Sequence, residues 1–265
     1  MQGSRSVSNR CVMACLCVLA MPAAASAGAW TLPQGTGQAI VTATTSTSDR
    51  VFGIGGTPRY DKTELQALIE YGFTDRFTAI FDPGLQHIGI SAPTDAQRTG
   101  LGYSELGGRY LLLQRDAWVL SGQATVRVPG TNETSNPAAI GYTGIETDLR
   151  ALIGYSFTLG AMPAFVDLQL AQRFRAGAPP DELRFDATFG VRPAPRWLVL
   201  AQSFNVVSEG AGSPPFASYD YSKLQLSAVY SLTPALSLQV GGFSTFAGNN
   251  ALQENGLIFG AWYRF

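Results

Sequence analysis

The strongest pattern in this chain is an alternation of apolar and polar positions with a period of two. From Ile145 to Phe157 the odd positions read Ile145, Thr147, Leu149, Ala151, Ile153, Tyr155 and Phe157. The even ones begin Glu146, Asp148 and Arg150. Successive side chains of a strand face opposite sides, so this segment puts apolar groups on one face and charges on the other. The spacing recurs from Leu183 to Val191 around Arg184 and Asp186, and from Trp118 to Val128 around Arg127. It recurs again from Leu224 to Leu232 around Lys223 and Gln225, and from Leu257 to Phe265. The stretch from Trp197 to Val207 alternates less clearly. Beyond residue 27 no apolar run reaches the ~20 residues of a helical span.

The connections take turns in length. Short ones are expected near Thr74-Asp75-Arg76, Gln114-Arg115-Asp116, Thr158 to Pro163, Pro193 to Arg196 and Leu232-Thr233-Pro234. Longer ones, rich in Gly, Pro, Ser and Asn, are expected near 48–60, 87–99, 129–143, 175–182, 207–219 and 247–255. Five short turns and six long loops imply about 12 antiparallel strands, the arrangement of an outer-membrane barrel. Both termini then fall on the periplasmic side. A soluble sheet would also alternate, but it would not gather aromatics beside the short turns. Tyr71, Phe73, Phe77, Tyr110, Trp118, Tyr155, Phe157, Trp197, Tyr230, Tyr263 and Phe265 gather there, as a belt at headgroup level does. The expected fold is therefore all-β: a transmembrane up-and-down barrel over residues 28–265.

Composition agrees. Charged residues are 14% of the chain and hydrophobic ones 46%, whereas a soluble domain carries about 25% charged residues. A net charge of −1 gives no bulk attraction to nucleic acid. The amino terminus reads as a secretory leader: Arg5 and Arg10, an apolar stretch from Cys11 to Pro22, then Ala25-Ser26-Ala27 as the cleavage site. Gly28 is then the first mature residue. All three cysteines, Cys11, Cys15 and Cys17, fall within the leader, so the mature chain has no thiol chemistry.

If the apolar faces meet lipid, the charged faces meet the lumen, because a charge on the lipid face costs about 2–4 kcal/mol at the midplane. The expected lumen-lining residues are Glu64, Glu70, Glu105, Arg109, Arg127, Glu146, Asp148, Arg150, Asp167, Arg173, Arg184 and Asp186, with Gln66, Gln169 and Lys223 beside them. Two readings stay open. The charges line a water-filled path, or they pair and fill a narrow barrel. Eight strands make a filled interior and 16 an open one, and twelve lies between. No separate domain precedes the first strand near Gly37, so no energy-coupling plug is expected.

Enzymatic chemistry has little to work with. The chain has one histidine, His87, at the edge of an expected outer loop, and its spacing to Ser91 forms no nucleophile–base motif. One histidine and a cysteine-free mature chain offer no transition-metal set, and no cofactor is expected. The alternation from Gly256 to a carboxy-terminal Phe265 looks like the signature read by barrel-assembly machinery, so that machinery, membrane lipid and small solutes are the expected partners.

Some phrases are similar to known families. Glu70 to Phe77 (EYGFTDRF) resembles the strand-turn-strand phrase of an outer-membrane transporter family associated with meta-pathway phenol degradation, and Tyr230 to Ser237 resembles it again. Gly100 to Tyr110 is similar to that family's fourth-strand phrase, though Ser104 stands where an acidic residue is usual. Gly28 to Pro33, with Gly35, Gly37 and Gln38, resembles a related group of barrels linked to surface polysaccharide and adhesion. The first resemblance implies passive passage of small aromatic or hydrophobic solutes. The second implies a surface role, in adhesion or polysaccharide secretion, carried by loops such as Pro129 to Thr143 and Ser208 to Ser218.

Overall fold

The computed structural model describes residues 28–139 and 141–265. The expected leader, residues 1–27, lies outside them. The strands follow one another as β1 (Gly37–Val51), β2 (Gly55–Thr74), β3 (Phe77–Asp82), β4 (Gly84–Ile90), β5 (Ala96–Leu101), β6 (Ser104–Arg115) and β7 (Trp118–Val128). Then come β8 (Glu146–Leu159), β9 (Met162–Arg175), β10 (Glu182–Ala194), β11 (Trp197–Ser208), β12 (Asp220–Ser231), β13 (Leu236–Asn249) and β14 (Asn255–Arg264). Every pairing is antiparallel.

β3 and β4 form one pass across the sheet, and so do β5 and β6. β2 pairs with β3 through Ile69–Thr74 and with β4 through Tyr60–Gln66, while β3 pairs with β6 and β4 with β5. The break between β3 and β4 falls at Pro83, which has no N–H for the ladder. Its carbonyl still accepts from Ala67 N at 3.1 Å. There are thus twelve passes. β1 pairs with both β2 and β14, which closes the sheet on itself. Closure leaves no backbone edge unpaired, as a lipid environment demands.

The side chains divide as the alternation predicts. Leu149, Leu170, Phe185, Leu226, Val240 and Phe259 are exposed on the outer face. Their strand neighbours Asp148, Asp186, Ser227 and Ile258 are buried inside. Aromatics form a band beside the short turns: Tyr71 meets Phe73, Trp118 meets Tyr155, and Trp197 meets Tyr230, with centroids 5.1, 4.3 and 4.9 Å apart. Leu170, 52% exposed and central in β9, gives a direct test of which face meets lipid. Leu170→Arg is expected to cost about 2–4 kcal/mol of folding free energy in bilayers, by denaturant titration. A cost near zero would place this face in water.

The five short turns stand where expected. Two of the six outer loops do not. The regions 48–60 and 87–99 are mostly strand, and their hairpins turn only at Phe52–Ile54 and Ser91–Asp95, while the expected loop 247–255 keeps its centre at Asn250–Glu254. Their polar composition comes from strand ends projecting beyond the ~9–11 residues that a bilayer requires. β2, at 20 residues, shows the excess most plainly. His87, expected beside a loop, lies within β4 on the outward face, its Nδ1 2.7 Å from Thr99 Oγ1. Ser91 Oγ instead accepts from Arg59 N at 2.9 Å.

Candidate functional site

The interior has three levels, set by how far each inward residue lies along its strand. Nearest the short turns the lumen is apolar. Ile40, Phe165, Leu198, Leu200, Val229 and Trp262 form a buried cluster there, with Leu68 and Trp30 packed against it. This corrects the expectation of a polar inner face throughout. It also explains the weak alternation of β11, where Leu198 and Leu200 point inward while Val199 is exposed. When both faces are apolar, the period disappears.

At the middle level the chain itself enters the barrel. Residues 28–36 precede β1: Gly28 to Leu32 lie inside the lumen, and Pro33 to Thr36 are exposed at its rim. Gly35 N donates to Gly72 O at 2.8 Å and Gly72 N to Thr36 O at 2.9 Å, which hooks the segment to the rim. Leu32 N donates to Thr78 Oγ1 at 2.8 Å. Arg109 Nη1 donates to Trp30 O at 2.9 Å, and Ser121 Oγ to Ala29 O at 2.5 Å. Ala29 N donates to Asp167 Oδ2 at 2.6 Å. The Trp30 ring meets Phe165 edge-on at 5.6 Å and lies over Gly154, where a Cβ would come within 2.7 Å of the indole. The segment fills the lower lumen.

The wall around the segment is charged. Arg109 reaches Glu70 at 2.9 Å, and both side chains are almost wholly buried. Glu70 also accepts from Gln38 Nε2 at 2.5 Å, and Arg109 Nε donates to Gln123 at 3.2 Å. A buried pair of this kind survives only when its remaining valences are hydrogen-bonded, and here they are.

The outer level holds a connected set of ion pairs on β6 to β10. Arg127 binds Glu105 at 2.6 Å and also binds Glu146. Arg175 reaches Glu146 at 2.8 Å and Glu182 at 3.3 Å. Arg173 reaches Asp148 at 3.0 Å, and Arg150 joins Asp148 at 3.2 Å to Asp186 at 2.6 Å. Arg184 completes the set on Glu182 at 3.2 Å. Five arginines thus meet five carboxylates. The facing wall carries Lys62 with Glu64 at 3.0 Å and Lys223 with Glu254 at 2.8 Å.

Between these walls lies a cavity of about 640 Å³. Tyr60, Tyr103, Tyr142, Phe216, Tyr219 and Tyr221 line it among the charges. The Arg127 guanidinium sits 4.3 Å from the centre of the Tyr103 ring. Two outer loops fold over the mouth. The segment 129–145 buries Ala138 and Ala139, and its Gly141 carbonyl accepts from Tyr103 Oη at 2.9 Å. In the segment 209–219, Tyr219 Oη donates to Glu182 at 2.5 Å.

The structure places all twelve expected lumen residues on the inward face. Glu64, Glu105, Arg127, Glu146, Arg173 and Arg184 border the cavity. Asp148, Arg150 and Asp186 lie beneath it, and Glu70, Arg109 and Asp167 surround the amino-terminal segment. Sequence reasoning missed Arg175 and Glu182, which it left in a loop. Both continue the inward period, two positions from Arg173 and Arg184. It also missed Lys62, and Glu254 in a turn that no period reaches.

A closed sheet of twelve passes, apolar outside and polar within, defines the class: a transmembrane β-barrel of the outer-membrane type. No family model matches the chain, and no curated protein is similar to it in sequence. The fold is shared with solved structures. The COG4313 outer membrane channel from Pseudomonas putida F1 is 17% identical, with a TM-score of 0.73 over 89% of this chain and 98% of its own. The NanC porin is 9% identical, with a TM-score of 0.54 over 85% and 98%. The translocator domain of the autotransporter NalP from Neisseria meningitidis is 13% identical, with a TM-score of 0.53 over 87% and 88%.

Proposed function

We propose that this chain is a passive channel of the bacterial outer membrane, with its short turns and both chain termini in the periplasm. The observation that carries this reading is the outer cavity of about 640 Å³, walled by charges of both signs and by tyrosines. Such a chamber suits small amphipathic solutes: an aromatic ring finds π-faces and guanidinium groups, and a polar substituent finds a charge. Small aromatic or hydrophobic solutes, the class implied by the phenol-degradation resemblance, therefore lead the list. Passage requires residues 28–32 to shift, because they occupy the lumen below the cavity. The strand from Gly256 to Phe265 is the segment that barrel-assembly machinery would read, and export would remove residues 1–27.

Single-channel recording in planar bilayers tests the reading. The protein is expected to show discrete steps, and charge reversal in the lumen is expected to move its selectivity. Glu146 faces Arg127, Arg173 and Arg175, so Glu146→Lys leaves a cluster of unbalanced cations. Its reversal potential in a salt gradient should shift toward anions, and that of Arg150→Glu toward cations. A folded barrel with no steps, or steps indifferent to both substitutions, would remove the channel function.

A further inference from the structure

Among the described residues two inward carboxylates form no ion pair: Asp82, half-buried with one oxygen unpartnered, and Asp167, which is fully buried. Glu70 has Arg109, and Glu146, Asp148, Glu182 and Asp186 have the arginines named above. Glu254 has Lys223. Asp167 is 1% exposed, and among the described residues no Lys or Arg nitrogen forms an ion pair with it. Its oxygens accept only from Gln169 Nε2 at 2.5 Å and Ala29 N at 2.6 Å. An uncompensated carboxylate inside a barrel is costly, and such groups are ordinarily paired.

What touches Asp167 is Gly28. A Cβ on Gly28 would collide with the carboxylate, and its φ of +112° is open to glycine and strained for other residues. The Gly28 nitrogen is separated from the Ala29 nitrogen, already bonded to Asp167, only by its own Cα and carbonyl carbon. Gly28 is also the residue that follows the Ala25-Ser26-Ala27 cleavage motif.

We propose that cleavage after Ala27 supplies the missing counter-charge: the α-ammonium released at Gly28 docks on Asp167 as a tethered internal ligand. Hydrolysis of the Ala27–Gly28 peptide bond uses one water, leaving a carboxylate on the leader and an ammonium on Gly28. That ammonium is buried inside the barrel, with little bulk water to solvate it, so the carboxylate is its natural partner. Asp167 lies on β9 and the segment is otherwise held by β2, β3, β6 and β7. The pair therefore fastens the free end of the segment to the wall opposite its hook at Gly72. Export processing and closure of the lower lumen become one event.

Reactivity of the α-amine tests this without reference to conductance, so the proposal and the channel function fail separately. The exported protein, extracted folded, is treated with an amine-reactive succinimidyl ester at neutral pH, and its amino-terminal peptide is quantified by mass spectrometry. That peptide is expected to begin at Gly28. Its labelling should be at least about tenfold slower than in denaturant, since protection reports how seldom the segment opens. Asp167→Asn, which keeps the shape and removes the charge, should restore most of the denatured rate. If that variant does not assemble, a serine inserted before Gly28 displaces the ammonium and should restore it instead. A mature chain beginning elsewhere would overturn the proposal. So would rapid labelling of the folded wild type, or unchanged protection once charge or register is altered.

Discussion

Deleting residues 28–34 is expected to raise single-channel conductance several-fold while leaving the barrel intact. The segment makes no strand pairing, and the cut spares Gly35 and Thr36, which hook it to Gly72. It removes Trp30 from the apolar cluster at the narrow level of the lumen. It also removes the backbone groups that Arg109, Ser121 and Asp167 now hold. Those hydrogen bonds contribute about 0.5–1.5 kcal/mol each, net of water. Without the segment, Arg109 and Asp167 face water in an open path. A milder variant, Trp30→Ala, should give frequent brief openings, because it loosens the segment without removing it. Both are read from step size and open time at fixed voltage. If conductance is unchanged by the deletion, the segment does not obstruct the path and the constriction lies in the outer ion-pair set.

The second large effect concerns Arg109. Arg109→Leu is expected to destabilise the barrel by about 3–5 kcal/mol, the usual consequence of stranding one member of a buried pair. Glu70, 1% exposed, would lose its cation. The Trp30 carbonyl would lose its donor as well. The double variant Arg109→Leu with Glu70→Leu should recover much of the loss, since a buried pair can often be exchanged for packed apolar groups at little net cost. Recovery will be incomplete, because the hydrogen bond from Gln38 Nε2 to Glu70 is lost as well. Guanidinium unfolding in lipid vesicles measures the cycle. A single variant as stable as the wild type would mean that water already reaches Glu70.

Much of this barrel was legible in its alternation because the two faces meet different solvents. Where the faces differ most, as in β8, with Asp148 inside and Leu149 outside, the strand and the role of each residue could be read together. Legibility fell where the contrast vanished. β11 carries apolar residues on both faces because the lumen is apolar at that depth. The outer hairpins read as loops because their strands leave the bilayer and no longer need an apolar face. The segment 28–36 was hidden for another reason: it has no periodicity, and apart from Trp30 its contacts are made mostly through backbone groups. Two inward glycines, Gly72 against Leu32 and Pro33 and Gly154 beneath Trp30, make room for it, and a glycine's reason is not readable from sequence. The pairing of charges inside was not legible at all, since strand positions fix which way a residue points and not which neighbour it reaches.

The seam of the barrel joins the first strand to the last. Gln38 pairs with Arg264 and Thr47 with Asn255, and Gly37 N donates to Phe265 O at 2.7 Å. These partners stand almost the full chain apart, so their meeting carries the largest loop-closure cost in the molecule. No fragment that lacks β14 can make the seam. Without β14, β1 and β13 are two open edges able to pair with any neighbouring chain. A stop codon before Asn255 would thus do more than shorten the protein: it would leave a curved, adhesive sheet in place of a closed barrel.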